Sequence, residues 1–84
     1  MRYTVIIPHS VQKRLDRLPD EILGRILRRL AGLETQPRPP DVKKLKGREA
    51  WRIRVGDYRV IYGIHDRALQ VIIVTVGHRR EVYR

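Results

Sequence analysis

AWRIRVGDYRVIYGI, from Ala50 to Ile64, reads as two strands joined by a tight turn. Gly56-Asp57 fits a two-residue hairpin loop, because glycine at the first central position suits a type II′ turn. That turn sets the register: Val55 faces Tyr58, Ile53 faces Val60 and Trp51 faces Tyr62. The three pairs share one face, since side chains alternate along a strand. The other face sets Arg54 against Arg59 and Arg52 against Ile61. Like charges directly opposite each other weaken a hairpin. A solvated basic face tolerates this, whereas a bound phosphate turns the repulsion into a binding site.

Upstream, Arg2 to Ile7 is a first strand, rich in β-branched residues and stopped by Pro8. Ser10 is an expected N-cap for a helix carrying Val11, Leu15 and Leu18 at helical spacing. Pro19 interrupts, and Asp20 is placed to cap the next helix. Asp20 to Gln36 carries Ile22, Leu23, Ile26, Leu27, Leu30 and Leu33 on one stripe, with Arg25, Arg28 and Arg29 on a face read as solvated, a nucleic-acid role being the minor alternative. Pro37 to Pro40 is a stiff connector. Asp41 to Gly47 reads as a short extended segment anchored by Leu45 among Lys43, Lys44 and Lys46. Downstream of the hairpin, a turn at His65 to Arg67 leads into a long strand, Ala68 to Gly77. The expected fold is α+β: an N-terminal strand, a helical hairpin, then an antiparallel β-meander, with the helices on one sheet face.

The helices need an apolar sheet face, which Trp51, Ile53, Val55, Tyr58, Val60 and Tyr62 supply. The arginine face is then left open, with Ile61, Ile72, Val74 and Val76 among its charges. Such a mixed face invites a partner. The last strand ends beside the Gly56-Asp57 turn, so His78, Arg79 and Arg80 emerge near the end that carries Arg54 and Arg59. Tyr83 follows within a few residues. His9 and His65 are read as structural.

Composition narrows the partner. The 84 residues suit one small domain, 1–84, and carry a net charge of +10 with no cysteine. Twelve of the nineteen Lys and Arg residues lie from Arg38 onward, spread through the strand-rich half rather than in one run. That pattern describes a folded basic surface for an anionic partner, not a basic tail. No stretch reads as a signal peptide or a membrane span, so a cytoplasmic protein is expected. The nine acidic residues form no evident metal-ligand cluster, which disfavours a metal nuclease.

KKLKG, WRIRVGDYRVIY and VTVGHRREVYR, in that order behind a strand and a helical hairpin, resemble the RelE-type toxins of the RelE/ParE superfamily. The resemblance covers essentially the whole chain. It implies a fold similar to the microbial ribonucleases and a toxin of a type II toxin–antitoxin system. It further implies ribosome-dependent cleavage of mRNA in the A site, without a metal or other cofactor. The family's basic pair falls on Arg52 and Arg54, its strand arginine on Arg59, its later arginine on Arg79 and its late tyrosine on Tyr83. These five are the expected catalytic residues. Lys43, Lys44, Lys46, His78 and Arg80 are the expected contacts to RNA and ribosome. Ile61, Ile72 and Val74 are the expected anchors for an acidic cognate antitoxin. Partners implied by the resemblance are that antitoxin, the 70S ribosome and mRNA, with operator DNA bound only through the antitoxin complex and no membrane.

The chemistry is attack of a ribose 2′-OH on the adjacent phosphate, which needs an oxyanion clamp, a base and an acid. Arg54, Arg59 and Arg79 suit the clamp. Lysine is common in the family where Arg52 and Arg54 stand, and arginine does not lose its proton in proteins. The base is therefore left open among His78, Glu81 and Tyr83. Two other readings compete. A ParE-type inhibitor of DNA gyrase shares the fold but generally lacks the arginine set and late tyrosine. A non-catalytic basic module would bind nucleic acid or an acidic protein with a steep salt dependence and no cut product.

Overall fold

The computed structural model describes residues 2–78. Its elements are β1 (Thr4–Ile6), α1 (His9–Leu15), α2 (Asp20–Gly32), β2 (Lys43–Lys44), β3 (Trp51–Val55), β4 (Tyr58–His65) and β5 (Gln70–His78). The β3–β4 hairpin has the expected register, from Trp51 opposite Tyr62 to Val55 opposite Tyr58. Gly56 takes φ +58°, and Asp57 is not among the residues with positive φ, as a type II′ turn requires.

The sheet order is β1-β5-β4-β3-β2. β2 to β5 form the antiparallel meander, and β1 adds to the β5 edge in parallel, Val5 opposite Val71. That parallel edge makes the sheet mixed. β1 is also shorter than the Arg2 to Ile7 run, because Tyr3 leaves the ladder: its N–H donates to the Glu34 carbonyl at 2.7 Å. The last turn runs later than expected. His65 stays in β4, and the chain reverses over residues 66–69, with Leu69 at φ +52°.

Both helices start on proline rather than on the expected polar caps. Pro8 and Pro19 are extended, with ψ near 150°, and no side chain caps either helix. The Pro8 carbonyl accepts from Val11 and Gln12, and that of Pro19 accepts from Leu23. Ser10 is therefore inside α1. Asp20 and Glu21 sit in the first turn of α2, where their charge complements the helix dipole.

The core lies between the helices and one sheet face. Val11 and Leu15 of α1 and Ile26, Leu30 and Leu33 at and beyond α2 pack with Ile53, Val55, Val60, Tyr62, Val71, Ile73 and Val76. Burying one large aliphatic side chain stabilises by about 1.5–3 kcal/mol, against about 0–1 for an exposed ion pair. The core, not the surface ion pairs, therefore holds the fold together. Two expectations fail here. Leu27 is 42% exposed and leaves the apolar stripe. Val76 faces the core opposite Val60, because a bulge at Ile61/Tyr62 takes Val74 out of the alternation between Thr75 and Ile73.

The connector after α2 is tied to the far end of the sheet. Arg38 donates to Asp66 through both terminal nitrogens, at 3.1 and 2.9 Å, and lies 5.3 Å from the Trp51 ring centre. The Tyr3 hydroxyl donates to the same carboxylate at 2.6 Å. The Tyr62 hydroxyl donates to the Pro37 carbonyl at 2.8 Å, and burial pushes its pKa up to about 12. The Arg38 and Tyr3 hydrogen bonds hold the Asp66 carboxyl down at about 2. A depressed carboxyl contributes stability that is complete above its unfolded value, near 4, and is lost as pH falls towards 2. Urea unfolding of Asp66→Asn is expected to show lower stability at pH 7 and a shallower decline between pH 4 and 2 than the parent chain. Equal acid slopes in the two proteins would contradict that role for Asp66.

Candidate functional site

On the sheet face turned from the helices, the register lays the side chains out in rows. Lys43, Arg52, Ile61 and Thr75 run across β2, β3, β4 and β5. One step nearer the Gly56 turn, Arg54 stands opposite Arg59, and Arg59 stands opposite Gly77. Gly77 places no side chain beside the Arg59 guanidinium. Arg52 and Arg59 are half-buried, and Arg54 is exposed. Three guanidiniums and an ammonium thus sit on rigid paired strands. Guanidinium groups offer planar forks of donors that match phosphate oxygens and stay charged at any working pH.

The structure treats the other expected contacts unequally. Lys44 alternates to the Trp51 side and pairs with Glu49 at 3.2 Å, and Lys46 is exposed in the turn beyond β2. His78 is at the same end of the sheet as Arg54 and Arg59 but on the opposite face. It pairs with Tyr58, ring centres 5.7 Å apart and nearly perpendicular, beside Arg14, Arg17 and Leu18. The alternation that puts Arg59 on one face puts its neighbour Tyr58, and hence His78, on the other. Ile61 lies on the arginine face but is only 2% exposed, at the centre of the sheet between Arg52 and Thr75. It is therefore not an accessible anchor. Ile72 is partly exposed, and Val74 at the bulge is 48% exposed. Arg79, Arg80, Glu81 and Tyr83 lie outside the described residues.

A further set of arginines meets this site. α2 crosses the end of β3 so closely that a Cβ on Gly56 would sit 3.5 Å from the Ile22 side chain and 3.7 Å from an Arg25 nitrogen. Arg25, Arg28 and Arg29 therefore line a groove of about 300 Å³ with Arg54 and Val55. Arg29 is not simply solvated, because its guanidinium bridges Asp41 at 2.7 Å. The i, i+3, i+4 spacing of these arginines shows that they share a helix face. Only the packing of α2 on the hairpin shows that this face adjoins Arg54.

Among the described residues no three His, Asp or Glu side chains gather as a metal-ligand set, and no helix is long and apolar enough to cross a membrane.

Comparison with known proteins gives consistent likenesses. Residues 5–83 match the profile of a family described as the ParE toxin of type II toxin–antitoxin systems. The chain is 33% identical to Toxin RelG of Mycobacterium tuberculosis, over all of this chain and 99% of that protein. It superposes on a chain of the archaeal RelE–RelB complex from Pyrococcus horikoshii with a TM-score of 0.85 and 35% identity, covering 94% of this chain and 97% of the other. A chain of the Escherichia coli RelBE toxin–antitoxin complex, 22% identical, shares the fold with a TM-score of 0.80 over 90% and 95% of the two chains.

The facing of Arg54 and Arg59 has a measurable consequence. In low salt, Arg54→Gln is expected to raise the melting temperature, by relief of a repulsion of about 0.2–1 kcal/mol. Added sodium chloride should narrow the gap by screening the parent protein. A lower melting temperature for the variant at every salt concentration would contradict the repulsion.

Proposed function

The chain belongs to the RelE/ParE family of type II toxin–antitoxin toxins, and from that premise we propose that it is a RelE-type endoribonuclease cutting ribosome-bound mRNA. The observation that carries the proposal is the cross-strand pair Arg54 and Arg59, with Arg52 and Lys43 in the adjoining row. In this reading the scissile phosphate lies over that pair. The 2′-oxygen attacks phosphorus and gives up its proton to a base. The bond from phosphorus to the 5′-oxygen breaks, an acid protonates the leaving oxygen, and a 2′,3′-cyclic phosphate remains. Negative charge builds on the non-bridging oxygens, where fixed cationic donors stabilise the transition state more than the ground state. Arg54 and Arg59 are the clamp, joined by Arg79 on the family pattern. Tyr83 stacks on a base or moves a proton.

The same reading makes this protein the target of an acidic antitoxin. Relatives are found in complex with RelB-type proteins. A net charge of +10 favours rapid capture of an acidic chain, and Ile72 and Val74 add accessible apolar surface beside the arginines. Inhibition of DNA gyrase is the second reading, favoured by the ParE description of the matching family.

Programmed ribosomes incubated with the protein in chelator are expected to yield mRNA cut at the A site, with ends mapped by primer extension. Arg59→Ala should slow that cleavage by about a hundredfold or more, the usual effect of removing one transition-state donor. Intact mRNA together with blocked gyrase supercoiling would overturn the nuclease reading in favour of the second.

A further inference from the structure

We propose that the groove between α2 and the bare end of β3 binds the phosphodiester backbone of RNA, as a second contact beyond the reacting phosphate. β2 ends its pairing at Arg52, so no strand pairs with the β3 edge at Arg54 and Val55 among the described residues. α2 fills that side with Arg25, Arg28 and Arg29. Arg25, Arg28 and Arg54 make no hydrogen bond or ion pair among the described residues. Glu21, one turn before Arg25, forms no bridge with it. Asp41, which lines the adjoining depression with Arg54, is neutralised by Arg29 at 2.7 Å. Three unpaired guanidiniums are thereby held around about 300 Å³ of open groove.

The lining selects the occupant. Among the described residues Val55 is the one apolar residue lining it, and it is 4% exposed. A peptide binds through buried apolar or aromatic anchors, which this groove lacks. A phosphate needs charge and forked donors, which the groove offers along a helix face and a strand edge. Arg54 also lines the adjoining depression with Asp41, Lys43 and Arg52. A strand held by Arg25 and Arg28 is thus led past Arg54 towards Arg59. The choice of RNA as occupant rests on the nuclease reading above.

The test uses the full chain and a fluorescent single-stranded 2′-O-methyl RNA 12-mer, which lacks the attacking hydroxyl. Affinity is measured by anisotropy across a sodium chloride series for the parent, for Arg25→Gln/Arg28→Gln, and for an equal charge loss elsewhere, Arg48→Gln/Arg67→Gln. Losing two phosphate contacts should reduce the slope of log affinity against log salt by about 1.4. The control should lose less than half of that, and melting curves should show both variants folded. An unchanged slope, or an equal drop in the control, would overturn the proposal. So would an unchanged RNA slope with weakened binding of a poly-glutamate 12-mer, which would make the groove a protein-docking site. Ribosomal mRNA cleavage by the parent separates the two claims. Reduced slope without cleavage keeps the groove and removes the nuclease, whereas cleavage with an unchanged slope does the reverse.

Discussion

The two-residue turn at Gly56 governs both the core and the site. Its positive φ is accessible to glycine at little cost and sets β3 against β4 in one register. A slip of one residue would turn the apolar set of one strand, Ile53 and Val55 or Val60 and Tyr62, out to solvent and its arginines towards the helices. Core burial thus enforces a pairing that electrostatics opposes. Arg54 and Arg59 remain opposed because the apolar residues beside them, Ile53, Val55 and Val60, are buried. Like-charge opposition across one such pair is a small term beside the burial that maintains the register.

A second constraint acts at the other end of the sheet. Pro37, Arg38, Asp66, Tyr3 and Trp51 tie the connector after α2 to β1, β3 and the β4–β5 turn. This fixes where the chain re-enters the sheet as β2 and so where Lys43 stands relative to Arg52. It also fixes Asp41, which holds Arg29. The structural end of the sheet is polar and paired, and the opposite end gathers cations. Asp66 holds Arg38, while Arg25, Arg28 and Arg54 have no such acid among the described residues.

What was legible in the sequence was local. The hairpin register, the apolar faces of both helices and the opposition of Arg54 and Arg59 follow from period-two and helical spacing around one glycine. The parallel pairing of β1 with β5 was not legible, because it joins segments more than sixty residues apart and leaves no periodic mark. The bulge at Ile61/Tyr62 was missed for a related reason. Its effect on Val74 and Val76 depends on how β5 is drawn over the core. The end of the sheet at which His78 emerges follows from the meander, whereas its face depends on that same register. The helix starts depart from the polar-cap pattern because Pro8 and Pro19 supply the extended backbone and the first accepting carbonyl themselves. The α2 arginines read as solvent-facing on a helix wheel, and only tertiary packing reveals Arg54 beside them.

The central claim is that the β3–β4 register builds an anion site from Arg54 and Arg59. It is tested most directly by following the side-chain Nε–H signals of all arginines by NMR as a 2′-O-methyl dinucleotide is added. The account predicts the largest shifts at Arg54 and Arg59, with saturation at a common affinity. Shifts confined to arginines of α1, or equal and unsaturating shifts across the whole set, would contradict it.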